Sequence, residues 1–118
     1  YAPNGIIGLE TALPVCYETL VGTGHCDLPF LISRMTDKPA KILGLQAGTL
    51  SPGADADICL FDPMESWTVR KDGFQSRSAN SPWIGETLTA RVKRTFVAGR
   101  EVFDGLQVQP RTEALTAP

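Results

Sequence analysis

The stretch "APNGIIGLETALP", Ala2 to Pro14, joins a loop rich in glycine and proline directly to an apolar pattern. The apolar positions that follow it share one helical face: Leu9, Leu13, Cys16 or Tyr17, and Leu20. Such spacing places side chains on one stripe of an amphipathic helix. The sequence therefore predicts a loop that opens into a first helix, which ends in "VGTG".

Two more short helices are predicted by their end signals. Asp27 is suited to the N-cap of the second helix, and Pro29 is tolerated in its first turn. Thr36 caps the third helix, which holds Pro39 in its first turn and stops at Gly44. The first part of the chain is thus predicted to be helical.

Near Gly48 the sequence changes from helix signals to strand and turn signals. A strand is predicted from Asp57 to Asp62, and Pro63 is expected to close it. The next segment, "SWTVRK", places Trp67 and Val69 on one face of a further strand.

A hairpin is predicted near the end of the chain, with Val92–Val97 and Glu101–Phe103 as its strands and Ala98-Gly99 as its turn. About four strands are too few and too late in the chain to cover the first helix. A glycine-rich loop followed by a helix is typical of the segment after a strand in a β/α barrel. We therefore expect the loop at Ala2 to follow a barrel strand that is missing from this sequence.

Composition narrows the class of protein. The 118 residues contain 11 basic and 13 acidic side chains in a scattered arrangement, which disfavours nucleic acid and anionic membranes as partners. The apolar runs are far shorter than the roughly 20 residues that span a bilayer. Three cysteines without CxxC spacing favour a reducing cytoplasm as the location.

Two groups of residues resemble metal ligands without meeting the requirements of a site. His25 and Cys26 are adjacent, but zinc needs three or four ligands, so His25 is better explained as a helix-end residue. Asp55, Asp57 and Asp62 lack the glycine and glutamate spacing of an EF-hand and fit turn and strand-end positions. We predict no metal ligand within this chain.

Glu10 and Thr11 could be mistaken for a catalytic acid and a nucleophile. A charge at the start of a helix and a capping hydroxyl explain them more simply. We likewise interpret Trp67 and Trp83 as core or interface anchors.

Four stretches together resemble the C-terminal third of a class I (long-type) dihydroorotase, a member of the amidohydrolase superfamily. They are "APNGIIGLETALP", "ISRMTDKPAKILGL", "GTLSPGADADICLFDP" and "NSPWIGETLTARVKRTFVAGREVF". The third, Gly48 to Pro63, is similar to a pattern found across amidohydrolases, including hydantoinases and allantoinases. The first stretch and "NSPWIGE" point more narrowly to dihydroorotase, and the likeness runs from Ala2 to about Phe103.

The resemblance implies an α/β fold in which a (β/α)8 or TIM barrel is flanked by a small β-sandwich. The chain is then a fragment with three parts: residues 1–46 as the last loop and helices of the barrel, residues 47–106 as the C-terminal part of the sandwich, and residues 107–118 as a loosely held tail. The family's zinc ligands include a His-x-His pair, an aspartate and commonly a carboxylated lysine. These ligands are expected upstream of this segment.

The implied reaction is the reversible cyclisation of N-carbamoyl-L-aspartate to L-dihydroorotate in pyrimidine biosynthesis. Zinc would polarise the reacting carbonyl, and an aspartate upstream of this chain would move the proton. The resemblance gives this segment a substrate-binding loop, Ala2, Pro3, Asn4 and Gly5, with main-chain groups facing the substrate, and no catalytic residue. The segment alone is expected to be inactive.

Other functions remain open from the sequence. The parent protein could be a catalytically inactive dihydroorotase-like partner of aspartate transcarbamoylase, or an allantoinase-like or hydantoinase-like enzyme, and a homo-oligomer is implied for the active form. The chain could also be a complete small binding module. If it is a fragment, Leu9, Leu13, Ile58 and Leu60 should be more exposed than core residues usually are.

Overall fold

A computed structural model describes residues 5–109 of the chain. Its helical part consists of α1 (Ala12–Cys16), which continues as a π-helical turn (Tyr17–Val21), α2 (Leu28–Met35) and α3 (Asp37–Leu43). The π-helical turn is closed by a 2.9 Å hydrogen bond from the Gly22 N–H to the Tyr17 carbonyl. The first helix therefore begins at Ala12, later in the sequence than its apolar pattern predicts, and its second half is a π-helix.

The ends of α2 and α3 follow the predicted signals. Asp27 accepts a 2.8 Å hydrogen bond from the Phe30 N–H, which satisfies one of the free donors at the start of α2. Thr36 precedes α3 as predicted, but its hydroxyl donates back to the Ile32 carbonyl at 2.7 Å instead of capping. Gly44 ends α3 with a left-handed φ of 67°.

The sheet contains three antiparallel strands in the order β1-β2-β3: β1 (Ile58–Thr68), β2 (Thr87–Val97) and β3 (Arg100–Phe103). The prediction that Pro63 closes a strand is wrong, because Pro63 lies inside β1. The β1–β2 pairing shifts register between Asp62 and Ser66, so no ladder hydrogen bond is required from the proline nitrogen. The two strands predicted on either side of Pro63 are thus one.

The predicted hairpin turn is confirmed. Ala98 and Gly99 both have positive φ, 49° and 77°, and they connect β2 to β3. Two consecutive left-handed residues match the right-handed twist of the flanking strands. The strand before this turn begins at Thr87, earlier than the predicted start at Val92.

The first helix, including its π-helical turn, packs against β2 of the sheet. Val69, Leu88 and Ala90 are buried in this half, while Leu31 and Ala40 are buried in the α2–α3 half. Gly48 approaches the start of α3 so closely that a Cβ there would lie 2.8 Å from the Asp37 Cα, which excludes any side chain. No helix in residues 5–109 is long and apolar enough to cross a membrane.

Several apolar side chains are exposed to solvent, as the sequence predicts for a fragment. Leu9 is 95% exposed and Leu60 is 48% exposed, while Leu13 and Ile58 are half-buried. None of the four is a buried core residue.

Candidate functional site

The predicted substrate loop begins outside the described residues. Ala2, Pro3 and Asn4 lie there, so the structure describes only Gly5 of this group. Gly5 is exposed with a φ of 81°, and a Cβ built on it would meet no atom within 4 Å. Backbone conformation, and not crowding, is therefore what favours glycine here.

Asn80 connects this segment to a distant loop through two hydrogen bonds. Its Nδ2 donates to the Gly5 carbonyl at 2.5 Å, and its own carbonyl accepts from the Ile7 N–H at 2.9 Å. The two bonds hold the peptide groups on both sides of Ile6. We call the two segments that meet here, residues 5–10 and 75–80, the loop junction.

Glu10 closes the other end of the loop junction. Its Oε2 accepts from the Gln75 N–H at 2.9 Å, and its Oε1 accepts from the Ser76 N–H at 3.1 Å. Hydrogen bonds to an ionised carboxylate are stronger than neutral ones. The interpretation of Glu10 as a helix-start charge is wrong, because α1 begins only at Ala12 and has no acidic residue in its first turn.

Thr11 occupies the N-cap position of α1 without capping it. Its side chain makes no cap hydrogen bond, and its hydroxyl instead contacts the Gly8 carbonyl at 3.4 Å. Thr11 is only 2% exposed, which leaves it no access to a reactant. It is a structural residue beneath the loop junction.

The loop that presents Asn80 has internal support of its own. The Ser78 hydroxyl accepts from the Asn80 N–H at 3.2 Å, and the Ser81 hydroxyl accepts from the Trp83 N–H at 3.3 Å. Such serine bonds to a backbone N–H two residues on stabilise turns. The position of Asn80 is therefore fixed by local bonds as well as by Gly5 and Ile7.

A groove of about 480 Å³ runs beside the loop junction and along the sheet. Its lining includes Glu10 together with apolar side chains, among them Leu9, Leu13, Trp67, Phe74 and Phe103. The Trp67 indole N–H is buried and has no hydrogen-bond partner among the described residues. The groove therefore combines an apolar wall with one carboxylate and two arginines, Arg70 and Arg91.

Three of the residues considered as metal ligands, His25, Asp57 and Asp62, have hydrogen-bond partners within the chain. His25 Nδ1 lies 2.6 Å from the Thr23 hydroxyl, and the His25 N–H bonds to the Leu20 carbonyl just beyond the π-helical turn, as a helix-end residue does. Asp57 and Asp62 each accept a backbone N–H at 2.8 Å. Residues 5–109 contain no group of three or more histidine, cysteine, aspartate or glutamate side chains that could hold a metal ion.

The prediction that Gly5 contacts the substrate stays a prediction, and the sequence did not indicate the bonds of Asn80 and Glu10 at the loop junction. Both act across more than sixty positions of sequence, where no periodic pattern connects them. The available signal was the "NSPWIGE" stretch, which begins at Asn80.

Comparisons with known proteins agree on one family. The model of the Amidohydrolase family matches residues 2–102. A dihydroorotase from Elusimicrobium minutum is 50% identical over 80% of this chain and 22% of its own length. A dihydroorotase from Trichlorobacter lovleyi is 45% identical over 88% of this chain and 24% of its own.

Solved structures share the same arrangement. The L-hydantoinase (dihydropyrimidinase) of Arthrobacter aurescens matches with a TM-score of 0.83 and 36% identity, over 92% of this chain and 25% of its own. A D-hydantoinase (dihydropyrimidinase) from Thermus sp. has a TM-score of 0.81 and 26% identity, over 91% and 24%. The chain spans about a quarter of the length of these relatives. Because the family model covers most of it, this chain belongs to the amidohydrolase family.

Proposed function

We propose that this chain is the C-terminal part of a dihydroorotase, which interconverts N-carbamoyl-L-aspartate and L-dihydroorotate in pyrimidine biosynthesis. The dihydroorotases are 45% and 50% identical to it, compared with 26% and 36% for the hydantoinases. Hydantoinase-like or allantoinase-like hydrolysis of another cyclic amide is the second candidate, favoured by the structural likeness.

The main support for a dihydroorotase is the contact between two sequence motifs at the loop junction. "APNGIIGLETALP" and "NSPWIGE" carry the narrower resemblance to dihydroorotase, and they are about seventy residues apart in sequence. Asn80, the first residue of the second motif, bonds to Gly5 and Ile7 of the first. Because the two motifs meet in the loop junction, we expect a dihydroorotase sequence to contain both of them.

The role of this chain in the reaction is binding. Main-chain groups of Ala2, Pro3, Asn4 and Gly5 would contact the ring amide or the carboxylate of the substrate. Glycine at the end of this loop permits a left-handed backbone and close approach. Among residues 5–109, the hydroxyls of Thr23 and Ser33 each bond to a group that could act as a base, His25 and Asp37. Neither pair lies in the loop junction or lines the groove, so we expect the bond-making groups in other parts of the whole enzyme.

The whole enzyme would use zinc, but the described residues do not fit a metal centre. We derive no step through a metal here and expect its ligands upstream of this segment. Within the whole enzyme, residues 1–46 would form the last loop and helices of the barrel, residues 47–106 part of the β-sandwich, and residues 107–118 a tail. We expect the whole enzyme to be cytoplasmic and homo-oligomeric.

The test measures kcat/KM of the full-length protein that contains this chain on a set of cyclic amide substrates. We expect turnover of L-dihydroorotate, followed as ring opening by absorbance, to exceed that of hydantoin, dihydrouracil and allantoin by about a hundredfold or more in kcat/KM. Preference for hydantoin or allantoin would move the assignment to the second candidate. Absence of any turnover, with binding to aspartate transcarbamoylase, would identify an inactive structural partner.

The chain of 118 residues should be assayed beside the full-length protein. We expect it to show no turnover of dihydroorotate with or without added zinc, because the described residues lack a metal centre. Activity in a sample free of longer protein would contradict the division of roles proposed above.

A further inference from the structure

We infer that Asn80 is a positioning residue for the substrate loop: its side-chain amide holds the Gly5 carbonyl and so fixes the backbone at Gly5, the described end of that loop. This inference rests on the proposed function. It adds a residue from a different part of the sequence to the binding of the substrate.

Apolar packing does little to hold the segment around Gly5. Ile6 is 59% exposed and Leu9 is 95% exposed, so their burial contributes little to fixing this part of the backbone. Polar bonds take that role, with Asn80 at one end and Glu10 at the other. A segment held by a few hydrogen bonds shifts when one of them is removed.

The side chain and the main chain of Asn80 have separable effects. The amide Nδ2 bonds to Gly5, while the carbonyl that bonds to Ile7 belongs to the backbone. Substitution of the side chain therefore removes one bond and leaves the other. Ser78 offers a matched control, because its hydroxyl bonds to the Asn80 N–H within the same loop, whereas the bond to Gly5 comes from Asn80 Nδ2.

The experiment compares Asn80→Ala, Asn80→Asp and Ser78→Ala with the wild type in the full-length protein, with steady-state kinetics on L-dihydroorotate. We expect Asn80→Ala to raise KM about tenfold and to change kcat less than about threefold, because it weakens binding more than chemistry. Ser78→Ala should leave KM within about twofold. A smaller folded fraction lowers apparent kcat and leaves KM unchanged, so KM separates positioning from folding.

Asn80→Asp provides a second variant if Asn80→Ala does not fold. It keeps the size of the side chain but replaces Nδ2 with an oxygen, which cannot donate to the Gly5 carbonyl. We expect a rise in KM similar to that of Asn80→Ala.

The outcomes distinguish the inference from the proposed function. If the wild type turns over dihydroorotate and both variants keep its KM, Asn80 does not position the loop and the inference is overturned. An equal rise of KM in Ser78→Ala and Asn80→Ala would also overturn it, because general disturbance of the loop would then explain the effect. A wild type without turnover of dihydroorotate would refute the proposed function itself.

Discussion

The α2–α3 pair and the contact between the first helix and β2 are held in different ways. In the α2–α3 pair, the side-chain bonds are local: Asp27 bonds to Phe30, and Thr36 bonds to Ile32. At the contact with β2, the Glu18 carboxylate reaches 71 positions along the chain to the Thr89 N–H. The first region depends on neighbouring residues, and the second depends on the completed fold.

The difference indicates where substitutions should be most costly. A local bond at an exposed helix end can be replaced by water. A group enclosed between a helix and a sheet has no such substitute, so its loss leaves a polar group or a cavity without compensation. We therefore expect the effects of substitution to fall from the β2 contact to the α2 end.

Ala90 should give the largest effect. It is 0% exposed and has a φ of 76°, an uncommon conformation for a residue other than glycine. Ala90→Val adds both volume and a β-branched side chain there, and we expect a loss of about 3 kcal/mol in the free energy of unfolding by urea titration. Ala98→Val is the control, because Ala98 has a φ of 49° but is exposed, so it reports strain without crowding. Equal losses in the two variants would show that burial at Ala90 is unimportant.

Glu18 should give the next largest effect. Its Oε1 accepts the Thr89 N–H at 2.7 Å in a part-buried position beside Ala90. Glu18→Ala leaves that donor without its partner, and we expect a loss of about 1–3 kcal/mol in the free energy of unfolding. Glu18→Gln keeps a carbonyl oxygen that can accept the same bond, so it should lose less. If Glu18→Gln is as unstable as Glu18→Ala, the charge and not the acceptor is what matters.

The α2–α3 pair is more predictable from the sequence than the pairing and contacts of β2 are. Asp27, Thr36 and Gly44 mark helix ends through interactions within a few residues, and the structure places α2 and α3 between them. The turn at Ala98-Gly99 is local in the same sense. The register shift around Pro63 was not predictable, because it depends on pairing with β2, which is distant in sequence.

The candidate site shows the same limit. Gly5 is identifiable because glycine in a loop signals an unusual backbone, and its φ is indeed positive. The hydrogen bonds of Asn80 and Glu10 depend on which loops meet in the fold, and neither residue type signals a partner more than sixty positions away. The resemblance to a family supplied the two motifs, but their contact is a structural result.

Substitution of Asp27 tests the α2–α3 pair, where the side-chain bonds are local. Asp27→Ala removes the bond to the Phe30 N–H at the exposed start of α2, where water can replace it. We expect a loss of about 1 kcal/mol in the free energy of unfolding, the usual cost of an N-cap. Asp27→Asn retains an acceptor and should lose less. A loss from Asp27→Ala greater than that from Glu18→Ala would reverse the proposed order.

Glu65 should give the smallest effect, because its ion pairs from β1 to β2 are partly exposed to solvent, and such pairs contribute little. Its carboxylate bonds to Lys93 Nζ at 2.6 Å and to Arg91 Nη1 at 2.9 Å. The hydrogen bond from Lys93, followed by that from Arg91, lowers the pKa of Glu65 below its ordinary value of 4.5. The folded state therefore holds this proton less tightly than the unfolded state does.

The sign of the pH dependence follows from that difference. A carboxylate whose pKa is lowered on folding stabilises the protein above its unfolded pKa, and the contribution disappears as pH falls through the lower folded value. The wild type should therefore lose its stability advantage over Glu65→Gln as pH is lowered from 6 through 4.5 and below. The pair is partly exposed to solvent, so 0.5 M salt should reduce the same advantage at pH 6. A constant difference between the two proteins across that pH range would mean that Glu65 acts through packing, and its ion pairs would then contribute nothing measurable to the sheet.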